Sequence, residues 1–341
     1  MKTLLRLLLK SQHQRNRSEP AQTDKGMTLV ELLVGAIMAF LIITPMLGFV
    51  VDMLNTDRRE QVKSNTEQDL QAAVDFISQD LSQAIYIYNG KEIGVIKPEL
   101  AAPPKGAPIL VFWKRQLIKK AVPINNNSIK PNKCGEAANA DKCNDTYVLS
   151  LVAYYQFKDD NEPTWCQPSG GTCPSRIARY EIRERLRNPY TADVKTPYYE
   201  DADLIDSQKG SNAFNKEFDF SKPTVKVTTG AANWPPNPEV LVNYIDHSTA
   251  NVPAPPDCKT TLGVTDPPAP APALTQTDLL TADGSTNSFY ACVDTARNIA
   301  RVTIRGNSLR RLQADANYNP KNSAYFPTAT VQVQGLGALG K

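Results

Sequence analysis

The chain has 341 residues, 41% hydrophobic and 21% charged, enough for about two domains with a sizeable core. Its only histidines, His13 and His247, exclude most histidine-based metal sites and leave little for a His-dependent triad. The net charge of +3 sits in the first 26 residues, where six basic side chains (Lys2, Arg6, Lys10, Arg15, Arg17, Lys25) meet only Glu19 and Asp24; the remainder carries −1, which excludes nucleic acid as an expected partner.

From Met27 to Val51 runs a 25-residue stretch, apolar apart from Thr28, Glu31 and Thr44 and the small breaks Gly35 and Gly48. As a helix it would measure ~38 Å, enough to cross a hydrocarbon core of ~30 Å; a buried core helix is the other reading. The basic residues ahead of it put the N-terminus in the cytoplasm and residues 52–341 outside. A secretory signal fits badly, because its apolar region would be ~7–15 residues long and followed by a cleavage site. Glu31 is costly inside lipid, by roughly 2.5–3.5 kcal/mol at mid-membrane, so it is a functional candidate unless it snorkels to the headgroups. Pro45 removes a helical amide and predicts a bend, a melted turn or a static kink.

At the junction stands Lys25-Gly26-Met27-Thr28-Leu29-Val30-Glu31-Leu32-Leu33-Val34. This resembles the class III signal of type IV prepilins and pseudopilins. The resemblance implies cleavage between Gly26 and Met27 by a prepilin peptidase, removal of residues 1–26 as a cytoplasmic leader, and N-methylation of Met27. It also implies that Glu31, on the same helix face as the new amine, pairs with it or with the amine of a neighbouring subunit during assembly. Met27 stands where the family usually has Phe.

Beyond the membrane stretch, Asp52 to Leu70 reads as a solvated neck. Leu70, Ala73, Val74, Ile77, Leu81, Ala84, Ile85 and Tyr88 then share one helix face, which predicts a helix from about 28 to 88, amphipathic over 52–88, stopped by Asn89-Gly90. The head, 89–341, reads as strands: Ile109–Trp113, Tyr147–Phe157, Ile177–Leu186, Thr224–Thr229, Val240–Tyr244, Phe289–Val293, Arg301–Arg305 and Thr330–Val333. Strands in series after one long helix predict an α+β fold, the helix packed on an antiparallel β-sheet head. Ten prolines between 235 and 272 mark Asn251 to Leu274 as an exposed Pro-rich insertion, a surface loop or a ligand for a partner.

All six cysteines lie beyond the membrane stretch, as suits an oxidising compartment. Fifteen pairings are open; the sequence-local one is Cys134–Cys143, Cys166–Cys173 and Cys258–Cys292. Without a C-x-x-C pair, zinc is not expected, and no cofactor is. Glu200, Asp201, Asp203 and Asp206 form an acidic cluster that reads as an exposed loop, with calcium as its rival. His247, between Asp246 and Ser248, receives no role, since adjacency in sequence does not make a triad. Arg297 to Arg311 holds five arginines and no acid, and reads as a basic edge strand or a docking surface for an acidic polysaccharide or a subunit.

Arg301 to Leu309 also resembles the C-terminal strand of cyanobacterial pseudopilins linked to hormogonium polysaccharide secretion. Tyr154 to Phe157 with Ile177 to Tyr180 is similar to PilW-type minor pilins. Together these imply a non-enzymatic minor pilin or pseudopilin, first a single-pass inner-membrane protein with a periplasmic head, then part of a pilus or the cell surface. Its partners would be the prepilin peptidase, other pilins through the N-terminal helix, and the membrane. A type II secretion pseudopilin, a membrane-anchored exoenzyme and an adhesive or polysaccharide-binding module stay open.

Overall fold

The computed structural model describes residues 28–125, 129–160, 163–192, 197–211 and 234–337. The leader with Gly26, Met27, and the strand expected at Thr224–Thr229 lie outside the described residues. The chain divides into two compact units, 1–57 and 58–341.

The architecture is α+β. Helix α1 spans Leu29–Ser82 and contributes to both units. In the second unit it is followed by β1 (Ala84–Ile87), α2 (Gly90–Ile96), β2 (Gly106–Pro123), β3 (Cys143–Lys158), β4 (Ser175–Arg183) and β5 (Glu239–Ile245). Next come α3 (Cys258–Leu262), α4 (Gln276–Leu279), β6 (Leu280–Ala282), β7 (Phe289–Asp294), β8 (Ile299–Arg305) and β9 (Thr328–Gln334). Strands β1 to β5 form one antiparallel sheet and β6 to β9 a second, each in chain order.

Thr66, Leu70, Ala73, Val74, Ile77 and Leu81 are the buried stripe of α1, at the three- and four-residue steps that put side chains on one helix face. Leu70 to Leu81 pack into a core with Leu110, Phe112, Val152 and Tyr154 of the larger sheet and Phe289, Val302 and Ile304 of the smaller one. The opposite face of the larger sheet is buried as well, by Val111, Trp113, Leu151, Tyr155, Tyr180 and Trp234. Burial on both faces is why β2 and β3 read as continuous apolar runs rather than alternating ones. Trp113 Nε1 donates to the Tyr88 hydroxyl at 2.9 Å, and Tyr155 donates to the Ala101 carbonyl at 2.7 Å, so these aromatic side chains keep their polar tips bonded inside the core. At Gly306 α1 comes so close that a Cβ would lie 2.7 Å from Thr66 Cγ2.

Three expectations change. The helix ends at Ser82 rather than near 88, because Ala84–Ile87 pairs with β2; pairing sends Ala84 and Ile87 to the helix side and Ile85 and Tyr88 to the other. The segment with Arg301–Arg305 is not an edge: β8 lies between β7 and β9. The Pro-rich stretch is not wholly exposed, since α3 lies within it and Cys258, Leu262 and Val264 are buried with Leu279 and Cys292.

Candidate functional site

Two regions are candidates for a functional role: the start of α1, and the place where its last turn enters the head. Leu29, Phe40, Leu47, Phe49 and Val51 are all exposed, as are the other large apolar side chains from Leu29 to Leu54. Among the described residues α1 is the one helix long and apolar enough to cross a membrane. It continues through Pro45 without a break, although Pro45 supplies no amide to the Leu41 carbonyl; Thr44 donates its hydroxyl to Phe40 O at 2.8 Å.

At the first turn Thr28 and Glu31 cap the helix reciprocally. Glu31 N donates to Thr28 Oγ1 at 3.3 Å, and Glu31 Oε2 accepts from Thr28 N at 3.1 Å and Thr28 Oγ1 at 3.2 Å. This is a capping box, and its sequence signal is the Thr-x-x-Glu spacing, which the reading of Glu31 as a membrane carboxylate passed over. Any contact of Glu31 with the backbone nitrogen of Met27 lies outside the described residues.

At the other end stands Asp80. A carboxylate in the last turn opposes the helix dipole, so its place needs a tertiary cause. Strand alternation supplies one: Leu110, Phe112 and Lys114 share the helix-facing side of β2, as Ile177, Arg179 and Glu181 do on β4. Asp80 Oδ1 accepts from Lys114 Nζ at 3.0 Å, and Oδ2 from the Tyr154 hydroxyl and Arg179 Nε, each at 2.7 Å. Arg179 Nη2 also reaches Glu181 at 2.6 Å. Burial works against ionisation of Asp80, but the charges of Arg179 and Lys114 with the hydrogen bonds of Arg179 and Tyr154 outweigh it and hold its pKa below the usual 3.8. Burial likewise opposes the charge on Glu181, and the same two cations carry its pKa down. Two cations thus answer two anions, and the group acts as a clamp between helix and sheet.

A second buried pair joins the two sheets. Arg305 Nε donates to Asp246 Oδ2 at 2.9 Å beside the bridge between Ile245 and Gly306, and Ser248 donates its hydroxyl to Asp246 Oδ1 at 2.7 Å. Ser248 bonds Asp246 directly, which is not the arrangement of a triad through His247. Burial above all pulls the His247 pKa below 6.5, opposed by the Asp246 and Asp315 charges and helped by that of Arg310. The unfolded chain therefore binds the extra proton first as pH falls, so stability should decline as pH drops through the ordinary 6.5 towards the lowered folded value. Chemical unfolding of His247→Gln over that range is expected to show a flatter profile.

The other expected sites resolve as follows. The cysteines form Cys134–Cys143, Cys166–Cys173 and Cys258–Cys292. In the acidic cluster Asp201, Asp203 and Asp206 pair with Arg185, Lys130 and Lys209 respectively. No group of three or more His, Cys, Asp or Glu suited to a metal occurs among the described residues. The arginine-rich stretch is largely consumed internally: Arg297 pairs with Asp294, Arg305 with Asp246 and Arg311 with Asp69 of α1. Arg310 is fully buried and donates to the carbonyls of Thr172 at 3.0 Å and Gly170 at 3.1 Å, anchoring the Cys166–Cys173 loop. A basic docking surface does not follow from these side chains.

Comparison with protein-family models, with curated proteins and with solved structures found no match.

Proposed function

We propose that the chain is a structural minor subunit, a minor pilin or pseudopilin, of a type IV pilus-like filament. It enters the membrane with its N-terminus in the cytoplasm, is cut between Gly26 and Met27, and packs its helix against those of other subunits. The observation that carries this reading is a helix whose first half exposes every large apolar side chain, holds one carboxylate in its opening turn, and runs into the core of the head. Small residues at Gly35, Ala36, Ala39 and Gly48 permit close lateral contact between such helices in lipid. The filament would serve pilus assembly, motility or the secretion of protein or polysaccharide.

The decisive measurement is N-terminal mass analysis of the protein from its native cell, with methylated Met27 as the expected result. Gly26→Trp should leave the chain uncut in the membrane. Glu31→Ala should be cleaved normally yet enter filaments less well, on the order of tenfold or more, because the neighbour's amine loses its counterion in lipid. Native protein starting at any residue but Met27 would sink the proposal.

A second reading is a head tethered by an ordinary membrane helix. The capping box favours it, since it gives Glu31 a role that needs no neighbouring amine. Equal filament incorporation of Glu31→Ala would select it.

A further inference from the structure

Among the described residues the two sheets have four outer strands, and three of them are blunted. Strand β1 has four residues, and Asn298 and Thr295 donate side-chain hydrogen bonds to its Ala84 and Ile87 carbonyls, at 2.8 and 3.0 Å. Strand β6 has three residues and follows directly on α4. Strand β5 begins at Glu239, turns at Tyr244 with φ +58°, and is joined at Ile245 to Gly306. These are ordinary protections of a free edge.

Among the described residues strand β9 shows none of them. Its seven residues, Thr-Ala-Thr-Val-Gln-Val-Gln, contain no charge and no proline, and they pair with β8 in unbroken register from Ile299↔Gln334 to Arg305↔Thr328. Gly335 N donates to Asn298 O and Gly306 N to Pro327 O, both at 2.9 Å, which fixes the alternation. The odd-numbered residues bond β8, and Thr328, Thr330, Gln332 and Gln334 turn their amides and carbonyls outward. The same four side chains are exposed, while Ala329, Val331 and Val333 pack on the core.

We propose that β9 is an assembly edge whose occupant is β9 of a second copy of this chain, paired antiparallel about a two-fold axis at Val331. The edge is self-complementary in that register. Thr330 falls opposite the second copy's Gln332 and Thr328 opposite its Gln334, so each pair is neutral and hydrogen-bonding with no like charges facing. On the core side Ala329 meets Val333 and Val331 meets Val331, so the apolar stripe continues across the junction. Two four-stranded sheets become one of eight. The inference concerns the head alone and does not rest on the filament reading.

The test uses the full chain in detergent, with protein mass read by light scattering. Wild type should be a dimer. Thr330→Lys/Gln332→Lys places like charges opposite each other and should halve the mass, whereas Thr330→Lys/Gln332→Glu places opposite charges there and should restore it. A monomeric wild type, or a mass indifferent to both variants, overturns the proposal. Since helix association would also give dimers, and misfolding of a variant would also lower them, a crosslink keeps the test independent of both. Mixed Thr330→Cys and Gln332→Cys chains should form a disulfide-linked heterodimer well above the yield of either alone. Equal yields from all three samples, or capture of a different protein at these cysteines in cell membranes in place of the second copy, would reject the two-fold register.

Discussion

Asp80→Ala is expected to lower the unfolding free energy by about 3–5 kcal/mol, the usual cost of removing one member of a buried ion pair. Lys114 would be left with Glu181, Arg179 with Glu181 and the exposed Glu239, and the Tyr154 hydroxyl would lose its acceptor. Urea unfolding of the full chain in detergent at neutral pH checks the size. The sign of its pH dependence is fixed as well. Because the folded pKa of Asp80 lies below the ordinary 3.8, its contribution is complete above that value and is lost as pH falls through the lowered one. Wild type and variant should therefore converge in strong acid. Equal stability at neutral pH would dismiss the clamp. Exchanging the whole set for apolar side chains of similar volume is a different experiment, expected to be neutral or stabilising, since charges cost desolvation even when well paired.

Loss of the Cys258–Cys292 bridge by double replacement with Ser is expected to cost about 3.8 kcal/mol on the chain-entropy model, against about 2.7 for Cys134–Cys143 and about 2.5 for Cys166–Cys173. The order follows the sequence separations, 34, 9 and 7 residues. The larger loop also encloses residues 258–274 of the Pro-rich insertion, which the bridge ties to β7 through the cluster of Leu262, Val264 and Leu279. Thermal unfolding should rank the three double variants in this order, and limited proteolysis should open 251–274 first in the Cys258/Cys292 variant. A larger loss from either short bridge would mean that local packing, not loop closure, sets the scale.

Several features were legible because they depend on spacing alone. The buried stripe from Leu70 to Leu81 follows from helical period, and β2, β3, β5, β7 and β9 were each found through apolar or β-branched runs. The residues that join the elements were not legible. Asp80, Lys114 and Arg179 are charged, and a charge on a helix end or in a strand ordinarily means solvent; only the sheet register puts all three on one side of β2 and β4. The same limit made Arg301–Arg305 look like an exposed basic edge when β8 is an inner strand whose Arg305 is spent on Asp246. The helix stops short of its sequence period because Ala84, Ile85 and Tyr88 continue a helical pattern while strand pairing with β2 offers them burial on both sides.

Sequence by itself determined the apolar first half of α1, the buried stripe from Leu70 to Leu81 and the α+β class. Each of these rests on residues near one another along the chain, where covalent geometry limits what they can do. Tertiary structure decided where α1 stops, which strand is inner and which is a free edge, and which charges answer each other. Those outcomes join residues tens to hundreds of positions apart, and the free energy of such a meeting depends on a register that no local pattern encodes.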